Sequence, residues 1–162
     1  PDPRRASRVD RARECPPAGT ARSNRAVAAR IATSPREARP DQVILVDTSV
    51  WVDHLRAGNA RLASELDGGR VLAHPFVIGE LACGTLHNRP EILGLLNRLP
   101  SAPMATHAEA LDFLERRSLM GRGIGFIDVH LLASVALAAP ATLWTRDRRL
   151  ASIAAELSLA DR

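Results

Sequence analysis

Val43-Ile44-Leu45-Val46-Asp47-Thr48-Ser49-Val50-Trp51 decides the architecture of this chain. Its first four residues are apolar, three of them β-branched, and show no polar alternation, which is the pattern of a strand buried on both faces. The run stops at Asp-Thr-Ser, the residue types that cap a helix N-terminus, and helical patterning follows at 50–56 and again at 60–66. Gly68-Gly69 ends that stretch, and Val71 to Ala73 reads as a second short strand. Pro75 then starts another helix, with 76–84 apolar apart from one carboxylate. Residues 90–99 are amphipathic, 103–105 are expected to form a third strand, and 107–120 a longer helix. The last third repeats the alternation: an almost wholly apolar helix at 127–139, a strand at 142–145, a helix at 148–157. Short β-rich runs separated by helices predict an α/β fold, an open parallel β-sheet flanked by helices on both faces.

At 162 residues the chain has one domain's worth of sequence. All 22 basic residues are arginine, and both lysine and tyrosine are absent. That excludes a P-loop lysine, Schiff-base chemistry and a tyrosine nucleophile, leaving carboxylates, histidines and hydroxyls. The net charge of +4 is unevenly spread: residues 1–42 carry ten arginines and five acids, whereas 43–162 carry twelve arginines and thirteen acids. The basic character therefore belongs to an Arg-, Pro- and Ala-rich segment with too few apolar side chains to offset its ordering entropy, and 1–42 is expected to be a disordered extension to a domain spanning 43–162. Cys15 and Cys83 make no disulfide framework and no paired metal-ligand spacing, which suits a reduced, cytoplasmic setting. No apolar run reaches membrane-spanning length, because Leu131 to Trp144 is interrupted by Ser134, Pro140 and Thr142, and nothing at the N-terminus reads as a signal peptide.

Four carboxylates carry the chemistry. Asp47 and Asp147 each follow a strand and precede a helix, so each alone is explained as an N-cap. Glu80 lies in Phe76-Val77-Ile78-Gly79-Glu80-Leu81-Ala82-Cys83, where a buried carboxylate is costly without compensation and a partly exposed helix edge is the bland alternative. Asp128, near the start of the most apolar helix, is favoured there by the helix dipole. Capping does not explain their joint placement, two at the carboxyl ends of strands and two on the helices expected to pack beside them, where parallel sheets collect ligands. Four converging carboxylates repel one another, and a hard divalent cation with oxygen ligands, Mg²⁺ or Mn²⁺, resolves the repulsion. Such an ion activates water and stabilises charge on a phosphate, so the constellation points to phosphodiester hydrolysis.

At these residues the chain resembles a known family. Val43 to Trp51, Gly79-Glu80-Leu81, Gly125-Phe126-Ile127-Asp128 and Leu143-Trp144-Thr145-Arg146-Asp147 are similar, in order, to the successive motifs of PIN-domain ribonucleases, and more narrowly of the VapC toxins of bacterial toxin–antitoxin pairs. The match covers nearly all of 43–162. It implies a PIN-like α/β/α sandwich and a Mg²⁺- or Mn²⁺-dependent endoribonuclease that cuts structured RNA such as transfer or ribosomal RNA, forms homodimers and is inhibited by a cognate antitoxin protein. Asp47, Glu80, Asp128 and Asp147 would be its catalytic and metal-holding acids, with Thr48, Ser49 or Thr145 supplying a hydroxyl beside the substrate.

Around the acids, Arg122 and Arg146 are candidates to grip RNA phosphates, as are Arg116, Arg117, Arg148 and Arg149; a solvated surface explains them equally well. Trp51 reads as core or interface before it reads as a base-stacking residue. His54, His107 and His130 are isolated in sequence, His74 is most simply a turn residue, and Cys83 a small buried hydrophobe. Two rival classes are separable. A haloacid-dehalogenase-type phosphatase needs a second Asp two positions after Asp47, where Ser49 stands. A non-catalytic nucleic-acid-binding module would rely on the basic 1–42 segment and lose its affinity without it.

Overall fold

The computed structural model describes residues 43–161; the segment 1–42, and with it the expected extension, lies outside the described residues. Among the described residues three strands form one parallel sheet and seven helices flank it: β1 (Ile44–Val46), α1 (Thr48–Ala57), α2 (Ala60–Asp67), β2 (Val71–Leu72), α3 (Pro75–Cys83), α4 (Arg89–Leu96), α5 (His107–Arg116), α6 (Phe126–Leu137), β3 (Thr142–Trp144) and α7 (Arg148–Glu156). The strand order is β2-β1-β3, with Leu45 opposite Leu72 on one side and Leu143 on the other. The chain steps one way across the sheet from β1 to β2 and returns past β1 to reach β3. Right-handed crossovers then place the two sets of helices on opposite faces, giving the expected sandwich. The reversal falls at β1, and in sheets of this kind ligands collect at the carboxyl ends of the strands on either side of it, here β1 and β3.

The central strand is buried on both faces, as its unalternating sequence requires. Trp51 and Leu55 of α1, Leu62 and Leu66 of α2, and Leu150 and Ile153 of α7 join it in one core. In α6 every residue from Val129 to Val135 is buried, which is why that helix shows no amphipathic stripe. Each large apolar side chain so placed contributes about 1.5–3 kcal/mol relative to leaving it exposed. Among the described residues no helix is long and apolar enough to cross a membrane.

Two elements differ from the sequence reading. Residues 103–105 form no strand. Instead Ala73 bridges Ser101 in parallel, with Ala73 N–H donating to the Pro100 carbonyl (2.8 Å) and Ala102 N–H to the Ala73 carbonyl (2.9 Å). Pro103 has no N–H with which to prolong that ladder. The helix expected over 107–120 ends at Arg116, because Ser118 turns left-handed (φ 51°) and sends the Leu119 N–H back to the Leu114 carbonyl (3.0 Å). This Schellman-type reversal carries Leu119 into the core, so its apolar character continues the helical pattern beyond the helix itself.

Candidate active site

Asp47 stands at the end of β1, 7% exposed, and its Oδ2 is a hub. It accepts from the Ser49 N–H (3.3 Å), the Ser49 hydroxyl (2.6 Å) and the Thr145 hydroxyl (2.8 Å). Both hydroxyls are themselves acceptors: Ser49 Oγ from the Arg146 N–H (3.0 Å) and Thr145 Oγ1 from the Asp147 N–H (3.0 Å). The α1 cap and the β3–α7 loop are therefore clamped together through one carboxylate oxygen. Asp147 caps α7, its Oδ1 accepting from the Arg149 and Leu150 N–H groups (2.8 and 2.9 Å). Asp128, third residue of α6, turns Oδ2 back onto the Gly125 N–H (2.7 Å). Glu80 accepts from the Thr48 hydroxyl through Oε2. It is exposed, at the edge of the strip of α3 that buries Val77 and Leu81, so the exposed-edge reading of Glu80 holds and the desolvation argument for it does not.

The four acids share one electrostatic neighbourhood. Burial raises the Asp128 carboxyl above its ordinary range; the Gly125 N–H opposes this, and the charges of Asp47, Asp147 and Glu80 add to the rise. Each acid spends one oxygen on the fold. Asp47 Oδ1, Glu80 Oε1, Asp128 Oδ1 and Asp147 Oδ2 accept no hydrogen bond from the described residues. Among the described residues no three acids, histidines or cysteines close into a ready-made metal cage. What suits a hard divalent cation is the donor chemistry: oxygen ligands, uncompensated negative charge and one open oxygen on each carboxylate.

The remaining sequence candidates divide. Thr48, Ser49 and Thr145 all meet carboxylates of the cluster. Arg122 is held by Glu156 in a bidentate pair (2.7 Å twice) and Arg146 pairs with Asp53, whereas Arg148, beside Asp147, forms no ion pair among the described residues. Trp51 is core, at 1% exposed. Cys83 is exposed, contrary to expectation, since it shares the outward side of α3 with Glu80, three residues earlier.

Sequence reasoning missed an aromatic ladder between α3 and α6. His74 is fully buried; its Nδ1 accepts from the Phe76 N–H (3.2 Å) and its Nε2 meets Ser134 Oγ of α6 (3.1 Å). Phe76 packs edge-on against His74 and His130, and Phe126 against His130 and His107, with ring centroids 4.7–5.3 Å apart. The signal available in the sequence was the four-residue spacing of Phe126 from His130. A cavity of about 930 Å³ opens at the amino ends of β1 and β3 beside Arg61, Arg70 and Asp161, at the other end of the sheet from the acids.

Acids gathered at the switch point of a three-stranded parallel sheet define a PIN-type α/β/α domain, and residues 44–156 match the PIN domain family. The chain belongs to that family, in its VapC branch. It is 50% identical over 118 residues to Ribonuclease VapC32 of Mycobacterium tuberculosis, in both strain CDC 1551 and strain H37Rv, an alignment covering 73% of this chain and 95% of each relative.

Proposed function

We propose that this protein is a divalent-metal-dependent endoribonuclease, the toxin of a toxin–antitoxin pair, that cuts structured RNA of the transfer or ribosomal class in the cytoplasm. In this reading it works as a homodimer and is silenced by a cognate antitoxin protein. The observation that carries the reading is the sharing of one charged neighbourhood by Asp47, Glu80, Asp128 and Asp147, each with an oxygen facing no protein donor; the relative named a ribonuclease supports the substrate class.

Asp47, Glu80 and Asp128 would hold the principal Mg²⁺ or Mn²⁺, and Asp147 a second ion or a water. When bound, the cation lowers the pKa of water and neutralises charge on the phosphate. The chain's own contribution is positioning. Ser49 and Thr145 fix the Asp47 carboxylate against β3, the Gly125 N–H fixes Asp128, and Thr48 holds Glu80. Arg148 and Arg149, which follow Asp147 and form no ion pair among the described residues, suit a phosphate of the RNA strand. Water adds to phosphorus as the bond to O3′ breaks, leaving a 5′-phosphate and a 3′-hydroxyl.

The test is transcriptome-wide mapping of new RNA 5′ ends after brief expression of the full chain, beside an Asp128→Asn control. Discrete 5′-phosphate ends found only with the wild type are expected and would name the substrate. Identical maps would overturn the proposal.

A further inference from the structure

We infer that Phe126 is a base-stacking platform, receiving an unpaired nucleobase of the RNA next to the bond that is cut. The inference deepens the ribonuclease reading and rests on it. Phe126 opens α6, two residues before Asp128, which on helix geometry separates their Cα atoms by about 5.5 Å. A nucleotide beside the scissile phosphate is within reach of the ring. Its exposure is anomalous: at 40% it exceeds that of the other described Phe and Trp residues, in a chain only 3% aromatic.

The ring is also held. His107, first residue of α5, packs across it at 5.3 Å and 63°, and His130, one turn further along α6, at 4.7 Å and 85°. His130 is itself 4% exposed and backed by Phe76 at 4.9 Å, so the support reaches down to α3. An exposed ring buttressed from two sides loses little freedom when a flat partner arrives, which is the requirement for a stacking site. The preceding segment leaves it uncovered, because Gly121, Arg122, Gly123 and Gly125 are all exposed and three of them have no side chain. A base offers a π-face whatever its identity, and only an unpaired, unstacked base can present it, which selects loops and single-stranded stretches of a structured RNA.

The experiment compares wild type, Phe126→Ala, Phe126→Leu and Phe126→Trp on total bacterial RNA with Mn²⁺, reading the initial rate of 5′-end formation and the base bias flanking each cut. Melting temperature, the Mn²⁺ isotherm and the mass in solution are read alongside. Phe126→Ala and Phe126→Leu are expected to slow cutting by about fivefold to a hundredfold and to flatten the bias, with Phe126→Trp retaining both and the Mn²⁺ isotherm unchanged throughout. Phe126→Leu cutting at the wild-type rate would overturn the inference, making the ring mere packing. So would a shifted Mn²⁺ isotherm, which routes the effect through the acids, or an unchanged rate with altered mass, which assigns the ring to contact between two copies. Absence of cutting by the wild type would refute the ribonuclease reading and this inference with it.

Discussion

Acid should loosen this fold through His74 before it reaches the surface carboxylates. The imidazole is fully buried, and accepting the Phe76 N–H at Nδ1 leaves the single proton of the neutral ring on Nε2, facing Ser134. A second proton would have to enter at Nδ1, against that N–H. Burial, reinforced by His130, holds the pKa at about 4, against 6.5 for a free histidine. Between these values the unfolded chain binds a proton that the native state refuses, so the contribution of His74 is intact above pH 6.5 and is lost as pH falls towards about 4. At 1.36 kcal/mol per pH unit the loss is at most about 3 kcal/mol, a large share of the 5–15 kcal/mol typical of a domain. His130, also depressed by burial, acts in the same direction. Asp128, whose carboxyl is raised, acts in the opposite one. Glu109 and Glu156, held low by Thr106 and Arg122, lose their contribution only as pH falls below 4.5. The assay is urea unfolding with chelator present, from about pH 7.5 to about pH 4, on wild type and His74→Gln. The variant should be less stable at neutral pH and show a shallower decline on acidification. An equal decline in both proteins would refute the assignment to His74.

Two further outcomes test the site. Thr145→Val deletes the hydroxyl that donates to Asp47 and accepts from the Asp147 N–H, and should cost about 1–3 kcal/mol while lowering kcat with little change in KM; a lower melting temperature with unaltered kcat would leave Thr145 a role in folding alone. Mg²⁺ at a hundredfold excess over its dissociation constant should stabilise the wild type by about 2.7 kcal/mol in a calorimetric scan, and Asp128→Asn by much less. An unmoved wild-type transition would count against metal binding by the acids.

The sequence was most legible where one constraint dominates. The run Ile44 to Val46 allows little but a buried strand, and Gly69, with φ 66°, stops α2 where the glycine pair predicted a stop. Strand ends flanked by capping acids located Asp47 and Asp147 without any tertiary information. Legibility failed where the outcome depends on a distant partner. Leu119 continues a helical pattern in sequence, yet reaches the core by reversing direction at Ser118. Glu80 lies in an apolar run, but its exposure is decided by which side of α3 meets the core, and Cys83 follows it outward. Arg122 and Arg146 read as free cations until Glu156 and Asp53, distant in sequence, are placed beside them. The ring ladder from His74 to His107 joins three helices, and only its local pairs, His74 with Phe76 and Phe126 with His130, are written along the chain.

The divided use of each acidic side chain affects how inactive forms of this protein are to be made and recognised. At positions 47 and 147 an amide can still accept the capping N–H groups through its oxygen, whereas alanine removes the cap and costs about 1 kcal/mol at each helix start. A silent copy that has lost its chemistry but must persist as a folded decoy is therefore expected to carry Asn or Ser at these two places. Glu80, exposed, off the caps and held by the Thr48 hydroxyl alone, is the least constrained of the four. Sequence change in such a lineage should begin at residue 80 and reach residue 47 last.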